Sequence, residues 1–449
     1  MSQISDFPLS ARFLRWYVSA MFRSYYSECV VVGRENIPTN CPIIFAPNHI
    51  NALMDAIAVH SIAPKGLPIV FLARSDIFRN KYAAKLLQFL NMMPAFRMRD
   101  GIENLGKNNE IFERCVEVLH QNKALGIMPE GNQGEERKLR PFTKGIFRIA
   151  FATQQKYGTT PAVKIIPIGI DYGDLEKFGK HIIINIGKPI EVSDYINNFE
   201  ENAALATNEI RDRLSADLSQ LTLDVATEKN YQTFETAIEV ANTEVLKALR
   251  LPNKTIYKFV ARQKTAKLLL ALEKEDPTKI AELEMFCADY RERLKRMNLK
   301  TWTLEQNPYE STSKILDFLI LLGTFTIFIQ GFLLNILAFK IPVVLRKVMK
   351  VEYPGFISSI QFVFAVFFTF PAFYILQTVL FCSILNVSWW VGLIFFVSQY
   401  VFGKWAFRWY REAKRYMGKI RYSKLEKRKS DDLQQAQTLR KKIIQLIMN

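Results

Sequence analysis

Histidine and cysteine are both scarce in this chain. Four histidines occur among 449 residues, so any chemistry that needs an imidazole has few candidates. The five cysteines, Cys29, Cys41, Cys115, Cys287 and Cys382, show no paired spacing. That argues for a reducing compartment and against a zinc site. No metal-ligand cluster is visible, and no metal requirement is expected. A cleavable signal peptide is not expected either. Residues 9–26 (LSARFLRWYVSAMFRSYY) interleave Arg12, Arg15 and Arg23 with aromatic side chains, which an apolar leader does not tolerate. Residues 1–27 read instead as a basic, aromatic amphipathic helix in a membrane interface, the alternative being a helix packed on the domain itself. Acidic residues fall short of basic ones, 43 against 60, and the net charge of +17 points to an anionic partner, nucleic acid or membrane.

Apolar residues are plentiful and unevenly placed. Hydrophobic residues make up 49% of the chain and aromatics 13%, concentrated after Ile315. Three stretches, Ile315–Phe339, Ile360–Leu385 and Val387–Phe407, match the roughly 20 helical residues needed to cross a hydrocarbon core of about 30 Å. A buried helical hairpin in a soluble domain is the alternative. Because basic residues flank these stretches, an anionic membrane is the expected partner, and nucleic acid is not. Lys340, Arg346, Lys347 and Lys350, and the tail from Lys404 onward, all favour the cytoplasmic side. Three crossings cannot place both there. Ile315–Phe339, interrupted by Gly323, Gln330, Gly331 and Asn335, is therefore expected to be interfacial or re-entrant, and the other two to cross as a hairpin turned at Asn386–Ser388.

Between Glu28 and about Val192, strand-like and helix-like segments alternate. Strands are expected at Cys29–Gly33, Pro42–Ala46, Pro68–Ala73, Ala124–Met128, Ala162–Ile170 and His181–Ile186, with helices at Leu53–Ile62, Lys81–Asn91, Asn104–His120 and Phe142–Lys156. The pattern predicts an α/β domain, a sheet covered by helices. Residues 196–314 read as a helical extension, with Asp276-Pro277-Thr278 opening one of its helices. Residues 315–410 hold the membrane segments and 411–449 a basic helical tail.

Four blocks in the α/β part carry chemistry. In the first, Asn48-His49 follows the strand Pro42–Ala46, and Asp55 lies within the next helix. A carboxylate there can orient the imidazole, which can then take a proton from a hydroxyl. The other histidines, His60, His120 and His181, stand in no such motif and read as structural. In the second block, Arg97 and Arg99 sit near Pro94 and can present guanidinium forks to a phosphate. The third, Pro129-Glu130-Gly131, puts a carboxylate at a strand's carboxyl end, where α/β domains hold ligands. The fourth, Ile165-Ile166-Pro167-Ile168, places a proline inside a strand, which suggests a bulge or an edge. Between the last two, Arg140-Pro141-Phe142-Thr143-Lys144-Gly145 is basic enough to help hold a phosphate.

In this order the blocks resemble the PlsC-like glycerolipid acyltransferases, over roughly residues 25–195. The family pattern is Asn-His with an Asp downstream, an Arg-bearing block, Pro-Glu-Gly, and an apolar-Pro-apolar strand. The resemblance implies an acyltransferase domain over 28–195. It also implies transfer of a fatty acyl group from acyl-CoA or acyl carrier protein to a hydroxyl of glycerol-3-phosphate or 1-acyl-glycerol-3-phosphate, with no other cofactor. By matching position, His49 would be the general base and Asp55 its orienting partner. Asn48, Arg97, Arg99, Glu130, Gly131 and Lys144 would serve the acceptor. The expected setting is an integral membrane protein with its active domain on the cytoplasmic face.

Two departures bear on the reading. Five residues separate His49 from Asp55 instead of the usual four. One extra helical residue would rotate Asp55 by about 100°, so the turn Ile50-Asn51 must absorb it before the helix begins. A similar longer spacing occurs in a branch resembling the glycerol-3-phosphate and dihydroxyacetone-phosphate acyltransferases of yeast type. Asn132 also stands where many lysophosphatidate acyltransferases carry Thr, leaving the acceptor open. Two alternatives follow: a lysophospholipid remodelling acyltransferase or transacylase, and a non-catalytic lipid-binding membrane protein.

Overall fold

Ile43–Pro47 (IIFAP), Lys164–Tyr172 (KIIPIGIDY) and His181–Ile186 (HIIINI) are nearly unbroken apolar, β-branched runs, as strands covered on both faces require. The computed structural model describes residues 9–79, 81, 84, 85, 87, 91–95, 105–158, 161–305 and 311–448, and it builds these runs into the middle of a mixed sheet. The strands are β1 (Glu28–Val32), β2 (Ile43–Pro47), β3 (Ile69–Arg74), β4 (Met92–Ala95), β5 (Ala124–Gly126), β6 (Lys164–Tyr172), β7 (His181–Ile186) and β8 (Ile190–Glu191). Their order is β1-β7-β6-β2-β5-β3-β4, with β8 also on β6. Pairing is parallel except where β6 meets β7 and β8. The strands β4 and β8 are too short, at 4 and 2 residues, to leave a periodic trace in the sequence. Most of the helix expected at Lys81–Asn91 lies outside the described residues.

Six helices accompany this sheet among the described residues: α1 (Leu9–Tyr25), α2 (Ala52–Ile62), α3 (Leu105–His120), α4 (Gly145–Tyr157), α5 (Ile196–Glu201) and α6 (Ala203–Leu221). One core joins Ile44, Val70, Leu125 and Ile165 of the sheet to Cys115 and Leu119 of α3, Phe147 and Phe151 of α4, and Ile210, Leu214 and Leu218 of α6. Because α6 completes that core, the first compact unit runs on to Ala226. Tyr353–Ser359 also belongs to this first unit.

Pro167 stands at a bulge and not at an edge: the antiparallel register shifts by one residue between Ile168↔Ile186 and Ile165↔Ile190, so that 187–189 lie opposite 166–167. The strand β6 lies between β7 and β2, and Pro167 pairs with Ala46. Its carbonyl accepts from Gly187 N–H at 2.9 Å, so the missing N–H would point the same way. That side is where the chain passes from β7, paired with residues 168–172, to β8, paired with 164–165. A donor is not required at this seam, and proline is tolerated.

The helix α1 packs on the domain, the alternative reading held for it. Arg23 donates to Ser61 O at 2.8 Å and Arg15 to Leu67 O, and just beyond the helix Arg34 donates to Ile62 O at 3.1 Å. These arginines satisfy carbonyls in and beyond the last turn of α2. The opposite side of α1 leaves Leu9, Phe13 and Trp16 exposed, an apolar stripe at helical spacing.

On α2, Nδ1 of His60 is enclosed without a hydrogen-bond partner, and burial, with Arg15 nearby, pushes this imidazole down to about 3. A depressed folded-state value stabilises the native chain above the ordinary value of 6.5, and that stability is lost as pH falls toward 3. Below pH 6 each unit should cost about 1 kcal/mol. Thermal unfolding from pH 7 to pH 4 should show this loss in the wild type and largely remove it in His60→Leu.

The second unit, Thr227–Glu352 with Ile360–Asn449, is helical among its described residues. Asp276 caps Pro277–Met297 as its sequence suggested, accepting from Thr278 N and Lys279 N. The C-terminal helix Asp431–Met448 packs in this unit, burying Leu433, Ala436 and Ile443, and its Asp432 accepts from Arg293 at 2.7 Å. Among the described residues, three helices are long and apolar enough to cross a membrane: Phe325–Val348, the run Pro354–Leu385, and Trp389–Lys427. The stretch expected to be one interfacial or re-entrant segment, Ile315–Phe339, is broken at Thr324. Ser311–Gly323 is a separate helix, and Lys340 lies inside the following one rather than in a loop. Asn386, with φ of 48°, turns the chain between the second and third spans as expected. Within the spans Asn335 accepts from Tyr374 Oη at 2.7 Å and donates to Gln399 O at 3.1 Å. Polar groups paired this way hold membrane helices together.

Candidate active site

The end of β2 delivers His49. One residue earlier, the Asn48 side chain stands in for a strand neighbour: Oδ1 accepts from Ile170 N–H at 2.7 Å and Nδ2 donates to Ile170 C=O at 3.2 Å. Expected at the substrate, Asn48 is buried and fixes the exit of β2 against β6.

His49 Nδ1 lies 2.9 Å from Asp55 Oδ2. The same oxygen accepts from Ile50 N–H at 3.0 Å and Asn51 N–H at 2.8 Å, and Oδ1 accepts from Tyr172 Oη at 2.7 Å. Asp55 is fully buried, whereas the His49 side chain keeps 19% of its surface. A carboxylate acceptor puts the proton on Nδ1 and leaves the lone pair on Nε2, the form a general base needs. The extra residue between His49 and Asp55 is taken up as required. The helix starts only at Ala52, whose φ of +37° is left-handed, and both turn N–H groups close on Asp55.

Glu130 has both oxygens engaged. Oε1 accepts from His49 N–H at 2.8 Å, and Oε2 accepts from Arg140 Nε at 2.8 Å. Arg140 also reaches His49 O, at 3.4 Å, where Gly134 N–H donates at 3.0 Å. Glu130 is buried, and desolvation pushes its carboxyl above the usual range, opposed by Arg140 and the His49 N–H. Gly131 turns with φ of +68°, and a Cβ there would stand 2.7 Å from Thr143 Cγ2. Thr143 N–H in turn donates to Pro129 O at 2.7 Å, so this loop is tied to the start of α4. Lys144 is exposed at that start.

The structure thus brings Asn48, His49, Asp55, Glu130 and Gly131 together. Arg97 and Arg99 lie outside the described residues. Arg140, read from sequence as a phosphate ligand, is the partner of Glu130.

The Acyltransferase family model matches residues 28–171, which hold all five of these residues. Residues 28–171 are an acyltransferase-family domain. The chain is 26% identical over 202 residues to "Glycerol-3-phosphate O-acyltransferase 1" of Saccharomyces cerevisiae, covering 44% of this chain and 25% of that protein. It is 27% identical over 192 residues to "1-acyl-sn-glycerol-3-phosphate acyltransferase" of Borreliella burgdorferi, covering 42% of this chain and 70% of that one. The crystal structure of the 1-acyl-sn-glycerophosphate acyltransferase PlsC from Thermotoga maritima aligns at 20% identity over 47% of this chain and 82% of its own, and its TM-score of 0.33 is too low to carry an argument.

Tyr172, which completes the shell around Asp55, lies one residue beyond the matched acyltransferase stretch, and no motif contains it. Burial among Asp55 and Tyr26 pushes its phenol well up, so it remains a hydroxyl donor. The signal available in sequence was its place at the carboxyl end of the Pro167 strand, two residues past Ile170.

Proposed function

We propose that this chain is a membrane-bound O-acyltransferase that moves a fatty acyl group from a thioester, acyl-CoA or acyl carrier protein, to a hydroxyl of glycerol-3-phosphate or 1-acyl-glycerol-3-phosphate. The carrying observation is the partly exposed His49 held at 2.9 Å by a carboxylate with no exposure of its own. His49 Nε2 takes the acceptor's hydroxyl proton as that oxygen attacks the thioester carbonyl. The tetrahedral oxyanion collapses, the C–S bond breaks, and the imidazolium returns the proton to the departing thiolate. Asp55 orients the ring and stabilises the imidazolium throughout. No covalent enzyme intermediate is needed, because a thioester is already activated.

The acceptor phosphate falls to Arg97 and Arg99, with Lys144 at the N-terminus of α4, where a cation and unpaired backbone N–H groups both favour an anion. Three apolar helices and the net charge of +17 support an integral membrane setting on an anionic leaflet, with the active domain on the cytoplasmic face. The intact His49–Asp55 pair speaks against the non-catalytic alternative.

The test is labelled acyl transfer by the full chain in lipid, from acyl-CoA and from acyl carrier protein, to each acceptor separately. Transfer to one acceptor that His49→Ala abolishes supports the reading and names the substrate. Transfer only to another lysophospholipid would replace it with the remodelling alternative, and a folded chain without transfer would refute catalysis.

A further inference from the structure

The turn that holds Asp55 is itself held by a segment some three hundred residues away. Asn51, whose N–H is one of the two backbone donors to Asp55, is fully buried. Its side-chain Oδ1 accepts from Ser358 Oγ at 2.7 Å, and its carbonyl accepts from Ser359 Oγ at 3.4 Å. Ser358 and Ser359 are themselves buried, at 1% and 4% exposure. Tyr353 Oη donates to Gln133 O at 3.2 Å, and Gln133 Nε2 reaches Ile50 O at 3.4 Å. Gly355 faces the same place. A Cβ on it would overlap Gln133 Nε2 and come within 2.7 Å of Ile50 O.

These contacts converge on Ile50 and Asn51, the two residues that absorb the unusual His–Asp spacing. An Ala at position 52 with positive φ makes that turn a backbone an ordinary sequence would not choose, and such a turn persists only when its surroundings over-determine it. Ser358 and Ser359 supply that surrounding from the opening turns of a largely apolar helical run, Pro354–Leu385, where buried hydroxyls are costly unless paired. Helix cohesion does not require them, since their partners are Asn51 atoms.

We infer that Ser358, with the clearance left by Gly355, is a positioning residue for the acyl-transfer reaction: the head of this helix holds the Ile50–Asn51 turn and through it the His49–Asp55 geometry. The inference deepens the proposed function and rests on it for its catalytic consequence. It concerns no substrate contact.

The experiment compares the full chain in lipid nanodiscs as wild type, Ser358→Ala and Gly355→Ala, with His49→Ala as the inactive control. Hydrogen exchange should rise about tenfold in the peptide covering residues 48–56, with the rest of the sheet unchanged, as local opening requires. The kcat should fall about tenfold while KM for donor and acceptor stays within about twofold, because orientation and not binding is lost. Unchanged exchange at 48–56 in both variants overturns the inference. So does a rise spread evenly over the sheet, which would mean general destabilisation, or a loss confined to KM. Should the wild type show no transfer that His49→Ala abolishes, the proposed function fails by itself, and the exchange data still decide whether the helix head holds the turn.

Discussion

His49→Ala should lower kcat/KM by about 10²–10⁴ while leaving the fold and its thermal midpoint close to wild type, since a general base is worth about that much. The imidazole keeps 19% of its surface and Nδ1 is its bond to Asp55, so its removal frees one lone pair of a carboxylate that retains Tyr172 Oη and two backbone donors. Asp55→Asn should cost nearly as much rate by a different route. A carboxamide has one oxygen to meet donors from Ile50, Asn51 and Tyr172. Its NH₂ turned toward His49 would make Nδ1 the acceptor and leave the proton on Nε2, the wrong tautomer for a base. That variant should also lose stability, because buried donors go unpaired, at about 1–3 kcal/mol each. Steady-state kinetics beside thermal unfolding separates the two: rate loss without stability loss for His49→Ala, both for Asp55→Asn. A His49→Ala protein with undiminished transfer would remove His49 as the base.

How much of this was legible in the sequence depends on whether the carrier was local. The strand β2, the Asn-His corner and the Pro-Glu-Gly turn are short-range patterns, and they are where the sequence places them. The direction of Glu130 was not legible. A Glu after a strand reads as a ligand-facing carboxylate, and only the fold shows that His49 N–H and Arg140 occupy its oxygens. Tyr172 and Ser358 are invisible for the same reason: each touches the site across 117 and 307 positions of chain, and no periodicity encodes such contacts. Pro167 left a bulge or an edge open, and only the register shows that the extra residue of a bulge lies opposite it.

Glu130 offers the second large effect, and it separates two roles. If this carboxylate bound the acceptor, Glu130→Gln would raise the acceptor KM. In the geometry found, it pins His49 N–H and balances Arg140, whose side chain is only 27% exposed. The amide oxygen of Gln can meet one of those two donors, leaving either the His49 backbone or a largely enclosed guanidinium unpaired. Breaking such a pair costs about 3 kcal/mol. The expected result is therefore a clear fall in thermal midpoint and in kcat with the acceptor KM little changed, and Glu130→Ala should be worse. Its pH signature differs from that of His60. Burial raises the Glu130 carboxyl, so its contribution to stability is full below the ordinary carboxylate value and declines as pH rises through the raised one. Glu130 cannot then cause the loss expected between pH 6 and pH 4. That acid loss should persist in Glu130→Gln and fade in His60→Leu, which assigns it to the imidazole on α2 and leaves Glu130 as the fastening of the catalytic corner.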